Sequence, residues 1–154
     1  MTSLLVRPQP CHINGARGAM FFFRPKVVVT YPVHGISGFH DHLVTHAVVK
    51  SAFLKIRERG DFLKRLAFHT ITEEQASKSE HFHLNGSKPR EIDCIYEVET
   101  IDVEKANAAL YCYVTFQETI DSSGIRNMLG KEVCFEIFQE DFDHPLHDLF
   151  DSIG

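Results

Sequence analysis

The chain has 154 residues, of which 44% are hydrophobic and thirteen are Phe, and it carries a net charge of −5. This length and composition exclude a disordered chain and indicate one compact domain with an apolar core. Charge is divided along the sequence, since residues 1–65 hold ten Lys and Arg against three acids and residues 66–154 hold six against eighteen. Such a division favours binding to an anionic surface and to copies of the protein itself.

The apolar runs of the chain are short, as at residues 19–23 and 27–29. A helix that crosses a bilayer needs about 20 apolar residues. A secretion signal would place an apolar segment behind a basic start, and the sequence shows no such segment. We therefore expect neither a membrane-spanning helix nor export by that route.

The first 59 residues predict an N-terminal arm, a strand and a long helix. Residues 1–18 indicate a flexible N-terminal arm, because Pro and Gly interrupt them without a hydrophobic period. Residues 19–154 then form a single domain. Its first strand covers 20–31, which are aromatic and β-branched, and Pro25 indicates an edge position or a bulge. The stretch 39–59 has apolar residues at a spacing of four and predicts one long helix.

The middle of the chain predicts mostly strands. Residues 62–71 form a second strand, and 81–84 form a short one before an Asn-Gly turn, with a polar connection between the two. Strict alternation in 92–101 and 110–116 indicates two half-buried strands joined by a polar link. We expect these two to pair antiparallel.

The end of the chain leaves one choice open, since residues 133–138 fit either a strand or a helix. The acidic tail from Glu140 contains apolar residues that could dock as a short helix. The predicted class is α+β, with an antiparallel sheet of about five strands packed against one long helix and a short C-terminal helix.

Ten basic residues form the candidate surface for an anionic partner. Each Lys or Arg beside an anionic lipid surface contributes roughly 1 kcal/mol, and the same charges attract nucleic-acid phosphates. A solvated helix end would explain these cations without a partner. The residues assigned to binding anionic lipid or ribonucleoprotein are Arg7, Arg17, Arg24, Lys26, Lys50, Lys55, Arg57, Arg59, Lys64 and Arg65.

The acidic part of the chain supplies the complementary charge. Residues 91–154 contain fifteen acids against three basic residues. Because opposite charges on one small domain attract neighbouring copies, we predict a homo-oligomer assembled head to tail. The residues assigned to this acidic pole are Glu132, Glu136, Glu140, Asp141 and Asp143.

Motifs for catalysis are absent from the sequence, which has neither a Gly-x-Ser-x-Gly elbow nor a phosphate-binding glycine loop. The four cysteines show no Cys-x-x-Cys spacing and are interpreted as buried free thiols. His40, His42 and His46 form a weak metal candidate, because positions 42 and 46 share one helix face. We therefore predict no catalytic residues and no cofactor. The alternative is a small cytoplasmic metal-binding domain or enzyme that uses these histidines.

Three short segments, in order along the chain, carry a resemblance to a known family. They are Phe21-Phe22-Phe23 leading into Lys26-Val27, then Phe62-Leu63-Lys64-Arg65-Leu66-Ala67-Phe68, then Glu80-His81-Phe82-His83-Leu84-Asn85-Gly86. With a long helix between the first two, residues 19–86 resemble the core of rhabdovirus matrix proteins, especially the vesiculovirus type. The arm differs from those proteins, because it lacks their lysine-rich stretch and their Pro-Pro-x-Tyr motif.

The resemblance implies a function. A protein of this family would be a viral structural protein that self-associates, binds the viral ribonucleoprotein and the inner face of the envelope membrane, and supports virion assembly and budding. It would bind the membrane peripherally, and it would be found in the virion beneath the envelope, in the host cytoplasm and at the inner membrane face.

Overall fold

The structure is a computed structural model that describes residues 10–80 and 82–153. Within these residues the chain forms six α-helices and a four-stranded mixed sheet, which confirms the α+β class. The finer prediction, about five antiparallel strands against one long helix, does not match. The helices are α1 (Pro10–Phe23), α2 (His40–Arg57), α3 (Glu73–Ser77), α4 (Thr100–Tyr111), α5 (Gln117–Ser123) and α6 (Ile125–Met128). The strands are β1 (Val27–Thr30), β2 (Arg65–Thr70), β3 (Cys94–Glu97) and β4 (Glu132–Ile137).

The strand order in the sheet is β1-β2-β4-β3. β1 and β2 are parallel and are connected by α2, whereas β4 runs antiparallel to both β2 and β3. β1 and β2 therefore begin at the end of the sheet where β4 finishes. We call this the proximal end, and we call the opposite end, where β1 and β2 finish and β4 begins, the distal end.

The apolar core lies between one face of the sheet and the first two helices. In α2 the residues Val48, Ala52 and Ile56 are buried at the spacing of four that predicted this helix. Leu66 and Phe68 of β2 face them, because alternate residues of a strand point to the same side of a sheet. The long helix and the second strand are thus confirmed.

The predicted flexible arm is wrong over its described part, because residues 10–18 belong to α1. Ile13, Ala16 and Met20 pack against the core at helical spacing, and Pro10 occupies the first helical position, where its missing N–H costs nothing. The strand expected from residue 20 begins only at Val27. The remainder of the predicted arm, including Arg7, lies outside the described residues.

The segment between β3 and β4 is helical, which contradicts the strand predicted at 110–116. We call residues 100–128 the helical insert. Its first helix begins where the Asp102 carboxylate accepts a hydrogen bond from the backbone N–H of Glu99 at 3.3 Å. Three alanines follow, and Ala is the strongest helix former. β3 instead pairs with β4, whose strand form settles the choice left open for residues 133–138.

Two further predictions differ from the structure. The described residues 82–84 form no strand, and His81 lies outside the description. The described tail, 140–153, contains no helix, because its backbone groups are engaged elsewhere: the N–H of Leu146 donates to Asp93, and its carbonyl accepts from Ile95.

Of the four cysteines, Cys94 and Cys134 are buried as predicted, whereas Cys11 and Cys112 are exposed.

Candidate functional site

Six exposed cations lie at the proximal end of the sheet, and we call them the basic end. The topology brings them together, because α1 and α2 finish here and β1 and β2 begin here. The backbone N–H of Lys64 donates to the carbonyl of Lys26 at 2.8 Å, which fixes the two strand starts side by side. Glu58 and Asp61 are the acids interspersed in these segments. The six cations are Arg24, Lys26, Lys55, Arg57, Arg59 and Lys64.

Aromatic side chains accompany the cations. Phe22 and Phe23, the last residues of α1, are 82% and 74% exposed. Their rings meet edge to face with centroids 5.0 Å apart. The Arg24 guanidinium lies 4.7 Å from the ring centroid of Phe62, a cation–π contact that holds the loop after α1 against the loop before β2. We call Phe22 and Phe23 the aromatic knob.

Three residues assigned to the basic surface lie elsewhere. Arg65 is 1% exposed, and it belongs to the interior rather than to any anion-binding surface. Lys50 is half-buried in the middle of α2, with its ammonium 4.5 Å from the ring centroid of Phe138. Arg17 is half-buried in α1. Sequence reasoning grouped these residues by charge alone and had no means of separating the buried guanidinium from the exposed ones.

Arg65 is fully engaged within the protein. Its Nε and one terminal nitrogen donate to the two carboxylate oxygens of Glu140 at 3.0 and 2.7 Å. Its other terminal nitrogen donates to the carbonyls of Leu149 and Asp151 at 2.7 and 2.9 Å. Such a bidentate, charge-assisted arrangement is strong and directional. The acidic tail is thereby attached to the start of β2.

The five acids assigned to the acidic pole do not form one surface. Glu132 is exposed at the distal start of β4, whereas Glu140, Asp141 and Asp143 follow the proximal end of that strand. Strand rise places these two groups about 17 Å apart or more. Glu136 is half-buried and accepts a hydrogen bond from Ser87, and burial raises its pKa.

Exposed negative charge is present in the tail and also at the distal end and in the helical insert. Residues 97–132 contain seven acids against three basic residues. Glu97 and Glu132 lie directly opposite each other in the β3–β4 pairing, and like charges in that position repel. No ion pair in the described part of the chain relieves this repulsion.

A cleft of about 530 Å³ opens at the distal end. Its walls come from the loop after β1, the loop before β3, and the helical insert with the start of β4. His69 lies in this cleft, where desolvation by the surrounding protein lowers its pKa although the residue is exposed. We call this space the distal cleft. The apolar side chains of its walls include Tyr31, Ile36, Phe39, Phe82, Leu84, Ile125, Met128 and Leu129, and Glu132 supplies a carboxylate.

The candidate histidines have structural partners. The Nδ1 of His46 lies 2.7 Å from the carbonyl oxygen of Tyr31, and that of His42 lies 2.9 Å from the carbonyl oxygen of Gly35. The ring of His42 also stacks on Tyr31 at 4.0 Å, and His40 is exposed. Across the described residues, no group of three or more His, Cys, Asp or Glu side chains has a geometry that could hold a metal ion.

Comparison with known proteins adds no identification. No protein-family model matches the chain, and a search of curated proteins finds no match. Among the described helices, none combines the length and the apolar character required to cross a membrane.

Sequence reasoning missed both the aromatic knob and the distal cleft. The three consecutive Phe residues predict a strand, and in a strand alternate side chains would face the core. The helical spacing of Ile13, Ala16 and Met20 is a usable signal for Phe22, because it places that residue on the side of the helix opposite the buried stripe. Phe23 follows Ala16 by seven residues and lies on the side of the stripe, yet it is 74% exposed at the end of the helix.

Proposed function

We propose that this protein is a non-enzymatic structural protein of the viral matrix type, which self-associates and binds anionic surfaces through its basic end. The surfaces are the inner face of the envelope membrane and the viral ribonucleoprotein, and binding to both supports virion assembly and budding. The observation that supports this proposal is the gathering of six exposed cations, interspersed with Glu58 and Asp61, in the last turn of α2 and in the segments that join α1 to β1 and α2 to β2 at the proximal end. The acids of the tail lie at the same end of the sheet, after β4.

The charge of the basic end suits reversible, peripheral binding. At roughly 1 kcal/mol for each cation near an anionic lipid surface, six cations give a binding energy of several kcal/mol. Phosphates of a nucleic acid would be held by the same charges, with an affinity that falls steeply as salt rises.

Helix termini account for only part of this charge. The C-terminal ends of helices attract cations, which explains Lys55 and Arg57 in the last turn of α2. Lys26 and Lys64 precede strands, which have small net dipoles. Their side-by-side placement therefore calls for a different reason, and an anionic partner supplies one.

The test is charge reversal at the end of α2. The triple variant Lys55→Glu, Arg57→Glu, Arg59→Glu changes exposed residues only, so it should fold normally. In co-sedimentation with vesicles of phosphatidylcholine and phosphatidylserine, we expect its binding to be lost. We expect the same loss in filter binding to single-stranded RNA.

A matched control reverses three exposed cations away from the basic end, as Lys78→Glu, Lys105→Glu, Lys131→Glu. This variant has the same net charge as the first one. We expect it to bind vesicles and RNA nearly as well as the unaltered protein. Equal binding by both variants and the unaltered protein would refute the proposal, and equal losses in both would show that only net charge matters.

A further inference from the structure

We infer that the aromatic knob of one copy docks into the distal cleft of a second copy, so that the protein assembles head to tail. This inference rests on the self-association in the proposed function and names the surfaces that carry it. It replaces the acidic pole predicted on the tail by a cleft at the distal end of the sheet.

The knob has the properties of an interface anchor. Phe22 and Phe23 are far more exposed than is usual for side chains of their size, and contiguous exposed apolar groups on a monomer mark an interaction site. Their edge-to-face contact already orders the two rings with respect to each other. Rigid aromatic anchors of this kind dominate the energetics of many interfaces.

The cleft has the properties of a receptor for such an anchor. Its volume of about 530 Å³ falls within the range of natural ligand pockets. Phe39 and Phe82 meet edge to face in its wall with centroids 5.9 Å apart, and Tyr31 adds a third ring. Incoming Phe rings would therefore find both apolar surface and aromatic partners.

Charge complementarity identifies the occupant as this chain itself. Arg24 and Lys26 directly follow the knob. At the cleft, Glu132 faces Glu97 across the strand pair without an ion-pair partner in the described residues. A cation brought in beside the knob would relieve that repulsion, so the charges beside the knob and beside the cleft are opposite in sign and attract each other.

The placement of the two surfaces sets the kind of assembly. The knob adjoins the proximal end of the sheet and the cleft lies at the distal end, so a docked neighbour leaves its own knob free for a third copy. A contact between two different surfaces that does not close on itself generates an open chain of subunits.

Two variants of the whole chain test the knob and the cleft separately. Phe22→Ser, Phe23→Ser removes the knob and leaves the cleft open. Met128→Trp fills the cleft from α6 and leaves the knob intact. In sedimentation velocity at 50 mM NaCl, the unaltered protein should form oligomers that grow with concentration. Each variant alone should be monomeric, with association weakened about thirtyfold or more.

Mixing the two variants is the decisive experiment. One variant still has a knob and the other still has an open cleft, so an equimolar mixture should form a 1:1 dimer and nothing larger. A mixture that remains monomeric, variants that assemble like the unaltered protein, or an unaltered protein that stays monomeric would each overturn the inference. If Met128→Trp fails to fold, Glu132→Lys at the exposed rim serves in its place.

Vesicle binding distinguishes this inference from the proposed function. The knobless variant keeps all six cations, so it should still bind anionic vesicles as a monomer. If it assembles normally and loses vesicle binding, the Phe pair enters the bilayer and the docking inference is wrong. As a control, Tyr111→Ser, Tyr113→Ser removes two exposed aromatics of the helical insert, and we expect assembly to be unchanged.

Discussion

The core formed by α1, α2 and β2 contrasts with the helical insert. In the core, Phe53, Ile56 and Leu66 are fully buried. In the helical insert, whose residues are all described, no residue is buried, although Tyr111 at the end of α4 and Phe116 just before α5 are large and apolar. Helices of both regions are regular, so regular secondary structure does not by itself indicate how strongly a segment is held by tertiary packing.

The largest difference should appear on truncating one aromatic residue in each region. Phe53→Ala leaves a cavity in the core and should lower the free energy of unfolding by about 4 kcal/mol. Phe116→Ala removes an exposed ring and should change it by less than about 0.5 kcal/mol. Urea denaturation followed by circular dichroism measures both. Similar losses in the two variants would show that the insert is packed as tightly as the core.

A smaller effect should follow from detaching the tail from the core. Glu140→Ala leaves the buried guanidinium of Arg65 without its carboxylate, and should cost about 2 kcal/mol of unfolding free energy. The guanidinium keeps its bonds to two backbone carbonyls, which limits the loss. Asp143→Ala, at an exposed position of the same segment, should be neutral in the same denaturation assay. An equally neutral Glu140→Ala would mean that the ion pair does not hold the tail.

The smallest effect should be a pH dependence that originates in the core. Burial lowers the pKa of His46 from its ordinary value of 6.5, partly offset by the bond to Tyr31. The unfolded chain therefore takes up the proton first as pH falls, so stability is full above pH 6.5 and decreases below it until the folded form is also protonated.

His46→Asn tests this assignment, because an amide can keep the donor to the Tyr31 carbonyl and does not titrate. We expect the loss of stability between pH 7.5 and pH 5.5 to be smaller in this variant. His69, whose pKa is also lowered, should supply the remainder. His40→Asn, at an exposed position of the same helix, should keep the original pH dependence. A His46→Asn protein with an unchanged profile would rule out this origin.

The hydrophobic pattern of the sequence predicted correctly those elements whose apolar side chains pack into the core. It predicted α2, with its buried stripe of Val48, Ala52 and Ile56, as well as β2 and β3. It failed in the insert, where Leu110, Cys112 and Val114 alternate as in a strand. The residues before them favour a helix, and no described neighbouring strand pairs with that segment. Alternation indicates a strand only where a partner and a core are present.

The sequence predicted that the candidate site consists of basic residues, but it did not predict where in the fold these residues lie. The sequence by itself determined the division of charge, the α+β class and the longest helix, because these depend on residues that are near one another in the chain. Tertiary structure alone decided that Arg65 is buried against Glu140, 75 residues away, that six other cations meet at one end, and that a cleft opens at the other. Burial and pairing depend on which distant segments come into contact, and a local pattern carries no information about those contacts.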